Sequence, residues 1–361
     1  MRRLASAAAV SLLLATLVSA RQTPATTLEL GASAFESYLE LLRQQAGIPG
    51  ISGVLIQEGA VVWERGLGFA NQEARIPATP TTPYVVADLT QVFTAVLLLQ
   101  CVEERRLTLD EPLRSYGVSL PEATATLRQV LSHTPAAATD GSFRYDPARY
   151  AQLAAAVEHC APQPFRKSVA HRLLERLAMI DSVPGRDLQQ ASVVPDALAD
   201  PLFEPEALAR YAGVLERIAV PYRVDGRKSA ARNEVAVDGI NAATGLVSTV
   251  RDLVRFNAAL DDGILLREET LAAAWSPTRL PDGTASPMGL GWFVQTYRGT
   301  RVVWHFGVVP QAYSALFIKV PARRATLILL ANSDGLAIPF ELEAGDVSRS
   351  PFGTLFLRML L

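Results

Sequence analysis

Strand-like segments stand at the two ends of this chain and helix signals fill the middle, a distribution that constrains the fold more than any other feature of the sequence. Near the start, Gly53-Val54-Leu55-Ile56-Gln57, a Glu58-Gly59 turn and Val61-Val62-Trp63-Glu64-Arg65 read as a hairpin within Gly50 to Phe69. An amphipathic helix from Ala34 to Gln45 precedes it. From Met288 on, Gly289 to Tyr297, Arg301 to His305, Tyr313 to Val320 and Thr326 to Asn332 are rich in Val, Ile, Leu and aromatics, with turn residues between them. Phe352 to Leu361 reads as a closing helix. In the middle, Asp146-Pro147 is a cap followed by a first-turn proline and opens a helix from Ala148 to His159; Ser248 to Asp252 opens another, reaching about Leu260. This order predicts a mixed α/β (α+β) fold: an antiparallel sheet flanked by helices, built from both chain ends, with an all-helical lobe inserted. A single domain over 34–361 is expected, with a sheet lobe at about 34–85 and 262–361 and a helical lobe at about 86–261.

The segment from Tyr84 to Ala95 starts extended and turns into an apolar helix ending near Arg105. Asp88 then falls at or beside the helix N-cap, and Gln91, three residues on, is placed to reach back to its backbone N–H. Asp-x-x-Gln is a capping box, in which side-chain oxygens satisfy the orphan N–H groups of the first turn.

The same segment, Val86-Ala87-Asp88-Leu89-Thr90-Gln91-Val92-Phe93-Thr94-Ala95, resembles the Ala-Ser-x-Thr-Lys-x-Phe-Thr-Ala nucleophile motif of the serine β-lactamase and D-alanyl-D-alanine carboxypeptidase-like family. In that family the Ser attacks a carbonyl and the Lys one turn later helps remove its proton. Asp88 stands where the Ser would be and Gln91 where the Lys would be. A neutral amide is no base near neutral pH, and a carboxylate attacking an ester or amide would give a mixed anhydride that readily reverts.

Other segments carry the resemblance from about Ile48 to Asn332. Phe143-Arg144-Tyr145-Asp146-Pro147 resembles the family's Tyr-x-Asn, with Tyr145 kept and Pro147 in place of an Asn that holds substrate; as residues alone, Asp146-Pro147 starts a helix and Tyr145 buries a ring. Trp304-His305-Phe306-Gly307 is similar to the His-x-Gly form of the third element, which implies that His305 and Gly307 line the cleft; a lone His at a strand end is otherwise a packed, hydrogen-bonded residue. Val308-Val309-Pro310-Gln311-Ala312-Tyr313-Ser314 replaces a Gly-x-Pro-Gly-Phe-Ser stretch with bulkier residues and implies a differently shaped cleft. Leu131-Ser132-His133-Thr134 matches a common Leu-Ser-His-Thr segment, with Pro135-Ala136 after it in place of Ser-Gly; its His is read as structural, and Ser132 lacks a helix-start position and a nearby base. Asn241 to Thr249 and Gly289-Leu290-Gly291-Trp292 resemble two further family stretches. The resemblance implies an active site between the lobes.

Met1-Arg2-Arg3, an apolar run from about Leu4 to Val18, and Val18-Ser19-Ala20 form a signal-peptide pattern over 1–20, so export with cleavage after Ala20 is expected. The run is shorter than the roughly 20 residues a spanning helix needs, so no membrane span is expected. Residues 21–33 are polar and Thr-rich and read as a loose arm. Without Arg2 and Arg3 the balance moves from 34 − 36 = −2 to 32 − 36 = −4, which suggests neither nucleic acid nor an anionic membrane as partner. Export permits a bond between Cys101 and Cys160, but two cysteines are no framework, and buried free thiols are expected. The three lysines, Lys167, Lys228 and Lys319, lie in no motif, so none is expected to replace the one missing at 91. His133, His159, His171 and His305 show no metal-ligand spacing, and no glycine-rich phosphate loop follows a strand, so neither metal nor other cofactor is expected.

Three readings follow. The first is an exported relative that has lost acyl transfer and binds a small molecule or peptide, such as a peptidoglycan peptide, at motif positions Asp88, Gln91, Tyr145 and His305, with Pro147 and Gly307 nearby. The second is a hydrolase of esterase or amidase type using Asp88, Tyr145 and His305 on activated water. The third is an interaction module whose cleft is filled by its own side chains.

Overall fold

A computed structural model describes residues 27–134, 143–191, 203–280 and 282–361. The expected signal peptide at 1–20, the first part of the arm at 21–26, and Pro135-Ala136 lie outside the described residues. The strands are β1 (Gly50–Gln57), β2 (Ala60–Asn71), β3 (Ile76–Pro77), β4 (Tyr84–Val85), β5 (Val183–Pro184), β6 (Tyr222–Val224), β7 (Ala230–Arg232), β8 (Leu246–Ser248), β9 (Phe293–Tyr297), β10 (Thr300–Val309), β11 (Tyr313–Val320) and β12 (Ala325–Ala331). Seven of them form one antiparallel sheet in the order β3-β2-β1-β12-β11-β10-β9, so the first strand of the chain pairs with the last. The sheet is built from both chain ends, as the order of segments predicts.

Both faces of this sheet are covered, which is why β11 and β12 are buried along their whole length and read as continuous apolar runs. Alternate residues enter two separate cores. Val54, Ile56, Val303, Phe317, Ile328 and Leu330 pack toward the middle of the chain, while Ile51, Leu55, Trp304, Phe306, Ile318 and Leu329 pack on the other side with Phe35, Leu39, Phe352 and Phe356. The last four belong to α1 (Thr27–Ala46) and to the closing helix (Pro351–Leu360), which touch each other. Because α1 begins at Thr27, residues 27–33 are helical rather than a loose arm. Leu, Glu and Ala in Thr27 to Ala34 favour that extension, against the polar and Thr-rich reading.

The inserted region holds α2 (Thr90–Glu103), α3 (Leu127–Leu131), α4 (Pro147–Ala151) and α5 (Ala154–Cys160), with further helices beyond. Asp146 caps α4 through a bond from the Arg149 N–H at 2.9 Å, and Pro147 occupies its first turn, as expected. The single helix expected over Ala148 to His159 is broken between Ala151 and Ala154 into α4 and α5. The region is not purely helical: β4, β8 and β5 form a small sheet, and β6 pairs with β7. These strands are two or three residues long, too short to show a period in the sequence.

Cys101 and Cys160 form a disulfide that ties α2 to α5, so neither is the free thiol expected. Both are buried where these helices pack, a proximity set by tertiary structure and invisible in a pair separated by 59 residues.

Candidate functional site

The site forms where the start of α2 meets β10. Ala87, Asp88 and Leu89 make one turn of 3₁₀ helix directly before α2. Ala87 has φ +51°, a left-handed conformation that costs a non-glycine residue free energy and is held only where its surroundings enforce it. The enforcement comes from β10: a Cβ on Gly307 would lie 2.0 Å from the Val86 carbonyl oxygen and 3.1 Å from the Asp88 nitrogen. Only a residue without a side chain lets the strand come this close.

Asp88 does not cap the helix. No side chain caps either this turn or α2; instead the Leu89 N–H bonds the Val86 carbonyl at 3.1 Å, and the Thr90 N–H bonds those of Ala87 and Asp88. With those first-turn donors bonded to backbone, the Asp88 carboxylate turns to the sheet and accepts the backbone N–H of Val308 at 3.2 Å. Burial pushes its pKa up to about 6, against the pull of the Val308 N–H, its own N–H and the Gln91 amide. Val308 N–H is the kind of inward-facing donor that would hold an oxyanion formed beside residue 88, and here a carboxylate already holds it.

Gln91 does not reach back to the Asp88 backbone either. Its Nε2 donates to Tyr145 Oη at 3.0 Å, and its Oε1 lies 2.9 Å from His133 Nε2. The roles in this chain are fixed by its far end, where the Asp146 N–H donates to His133 Nδ1 at 2.9 Å. His133 Nδ1 is therefore the bare acceptor, Nε2 carries the proton and donates to Gln91, and the amide is oriented with its N–H toward Tyr145. His133 also stacks on Tyr145, with ring centroids 4.5 Å apart, and on Tyr150. Burial, followed by the electrostatic influence of His305 and of the Arg149 guanidinium, holds the His133 pKa well below the ordinary histidine range. Burial and the Asp88 charge drive the Tyr145 hydroxyl well above its own.

His305 lies on the same face of β10 as Gly307, the face turned toward Asp88. Its ring centroid is 6.3 Å from that of Tyr145. Nδ1 sits 2.6 Å from the Phe306 carbonyl oxygen, which can only accept, so Nδ1 carries the proton and Nε2 is a lone-pair acceptor. That Nε2 is buried and has no hydrogen-bond partner. Burial lowers the His305 pKa to about 4, the Phe306 carbonyl opposing, so the ring is neutral at pH 7.

The structure thus brings Asp88, Gln91, Tyr145, His305 and Gly307 together. Pro147 serves the start of α4 and contributes no polar atom. His133, read from the sequence as structural, hydrogen-bonds Gln91 and the Asp146 N–H, contacts that the Leu-Ser-His-Thr segment alone does not reveal. Ser132 Oγ is spent on the Arg128 carbonyl at 2.8 Å and on Thr134. Lys319 is buried against Asp261, Asn257 and Thr326, away from position 91. Among the described residues no three His, Cys, Asp or Glu are grouped to hold a metal, and no helix is long and apolar enough to cross a membrane.

A family model described as Beta-lactamase matches residues 35–344. The chain belongs to the β-lactamase family. Mouse "Serine beta-lactamase-like protein LACTB, mitochondrial" is 34% identical over 122 residues, covering 31% of this chain and 22% of the mouse protein. "Protein flp" of Staphylococcus aureus is 28% identical over 103 residues, covering 27% of this chain and 21% of that protein. The chain therefore spans about a fifth of the length of these curated relatives. Among solved structures, the octameric penicillin-binding protein homologue from Pyrococcus abyssi superposes with TM-score 0.68 at 22% identity, over 84% of this chain and 74% of that one. The D-amino acid amidase from Ochrobactrum anthropi SV3 complexed with L-phenylalanine amide gives 0.65 at 20% identity, over 91% and 99%. These likenesses show the β-lactamase and penicillin-binding fold, and the family includes hydrolases.

Proposed function

We propose that this protein is an exported β-lactamase relative that has lost acyl transfer and binds a small molecule or peptide, such as a peptidoglycan peptide, in the cleft between Asp88, Tyr145 and His305. The observation that carries the reading is the Asp88 carboxylate seated on the Val308 N–H. A group at the nucleophile position that occupies the oxyanion donor leaves neither a hydroxyl to attack nor a free amide to stabilise the product of attack. Gln91 supports the same reading, since both ends of its amide are engaged and neither is basic. Nucleophile and base act as one unit in such enzymes, and loss of a member commonly costs on the order of 10⁴ to 10⁶ in rate. Export rests on the leader-like pattern at 1–20.

The test is to incubate the purified protein with a fluorescent penicillin, a fluorophosphonate probe and chromogenic esters and lactams, then to screen peptidoglycan peptides by thermal shift. The reading expects no adduct and no turnover, with a raised melting temperature for a bound peptide. Turnover that disappears in Asp88→Asn would establish the hydrolase reading instead. A melting temperature indifferent to every peptide would favour an interaction module with a filled cleft.

A further inference from the structure

We propose that the cleft recognises its ligand through an organic primary ammonium group, the proposal resting on the cleft-binding reading above. Two buried acceptors stand near Tyr145 with donors missing. His305 Nε2 is a bare lone pair with no partner, fixed in that state by the Nδ1 bond to the Phe306 carbonyl. The Asp88 carboxylate, itself 8% exposed, is met only by neutral donors, the Val308 N–H, its own N–H and the Gln91 amide, and no Lys or Arg pairs with it among the described residues. A buried carboxylate lacking a counter-ion and a buried acceptor lacking a donor each carry a free-energy penalty that a ligand supplying the missing group removes.

The cation felt at His133, the Arg149 guanidinium, lies against Glu122 at 3.5 Å and donates to the Thr134 carbonyl at 2.8 Å rather than to Asp88. Asp88 and, further out, Glu343 are the carboxylates felt at the Tyr145 hydroxyl. The two histidines there, His133 and His305, are held neutral at pH 7 by burial. Where the family's motif carries a lysine, this chain carries Gln91, whose amide is committed to His133 and Tyr145. A carboxylate ligand would meet the Asp88 charge, while Arg149 is held by Glu122. An ammonium, with one positive charge and three N–H donors, matches a carboxylate and an imidazole lone pair together.

Tyr145 is the partly exposed member of the group. It is half-buried, its ring stands 6.3 Å from that of His305, and Gln91 and His133 hold it from behind. The recognised class is therefore a primary amine on an apolar body, without an adjacent carboxylate.

Calorimetric titration of the full chain near pH 7.5 with phenylalanine amide, N-acetylphenylalanine amide and N-acetylphenylalanine separates the possibilities. The free amine is expected to bind, and acetylation, which removes the charge, to weaken binding by about tenfold or more. Asp88→Asn is expected to weaken the amine by a similar factor, and Gln91→Lys to reverse the preference toward N-acetylphenylalanine. Equal binding of the acetylated amide or of the carboxylate, or undiminished amine binding by a folded Asp88→Asn protein, overturns the proposal. Should Asp88→Asn fail to fold, Gln91→Lys decides: an unchanged preference for the amine is fatal. Absence of binding by all three probes ends ammonium recognition while leaving the cleft-binding reading to the peptidoglycan-peptide screen.

Discussion

The Asp88 carboxylate accepts the backbone N–H of Val308 at 3.2 Å, joining residues 220 positions apart across the boundary between the first helix of the inserted region and the main sheet. The bond ties the 3₁₀ turn before α2 to β10.

The tether has a proton-linked cost. The buried Asp88 keeps its proton up to about pH 6, whereas an unfolded Asp has released it by about pH 4. Between those values the native state binds more protons, so this group's contribution to stability falls as pH rises and is fully unfavourable above about pH 6. Asp88→Asn keeps an acceptor for Val308 without the charge. It should be more stable than the parent by up to about 3 kcal/mol above that pH, with the difference vanishing below about pH 4. Urea unfolding midpoints at the two extremes check this, and a difference that does not change with pH refutes it.

Restoring both reactive side chains should restore acylation. A serine at 88 is too short to cover the Val308 N–H, and a lysine at 91 would place its amine beside Tyr145 Oη, where Gln91 Nε2 now lies at 3.0 Å. Asp88→Ser/Gln91→Lys should label with fluorescent penicillin and show a covalent adduct by intact-mass spectrometry, while each single variant stays unlabelled.

Gly307→Ala should damage the fold at this junction. Its added methyl would meet the Val86 carbonyl oxygen at 2.0 Å, and backbone there cannot yield without moving the 3₁₀ turn. A loss of about 3 kcal/mol or more is expected, read as a lowered thermal midpoint, with weakened ligand binding even in the folded fraction.

Reduction should weaken the inserted region. The Cys101–Cys160 bond closes a loop with a sequence separation of 59, for which chain entropy gives a contribution of about 4 kcal/mol. Cys101→Ser/Cys160→Ser, or the parent in excess reductant, should melt several degrees lower; equal midpoints would show that helix packing alone fixes α2 against α5.

Much of the architecture was legible because it follows from local patterning. The hairpin of β1 and β2 announces itself by two β-rich runs around Glu58-Gly59, and α4 by Asp146-Pro147. The site was legible as positions rather than as contacts. Asp88 and Gln91 have the right spacing for a capping box, but the 3₁₀ turn satisfies its donors through backbone, and β10 captures the carboxylate from far along the chain. His133 shows the same limit, since its role depends on Asp146 and Gln91 meeting it from different segments. The disulfide is likewise a matter of which two helices pack.

Pairing of β1 with β12 has a kinetic consequence. Gly50 N–H bonds the Asn332 side chain across 282 positions, and Ile51 pairs with Ala331, so the centre of the sheet cannot zip until residues 331 and 332 have been synthesised. High contact order of this kind slows folding, and it leaves the apolar β1–β2 hairpin without its neighbour throughout translation, a segment that a holding chaperone would have to shield.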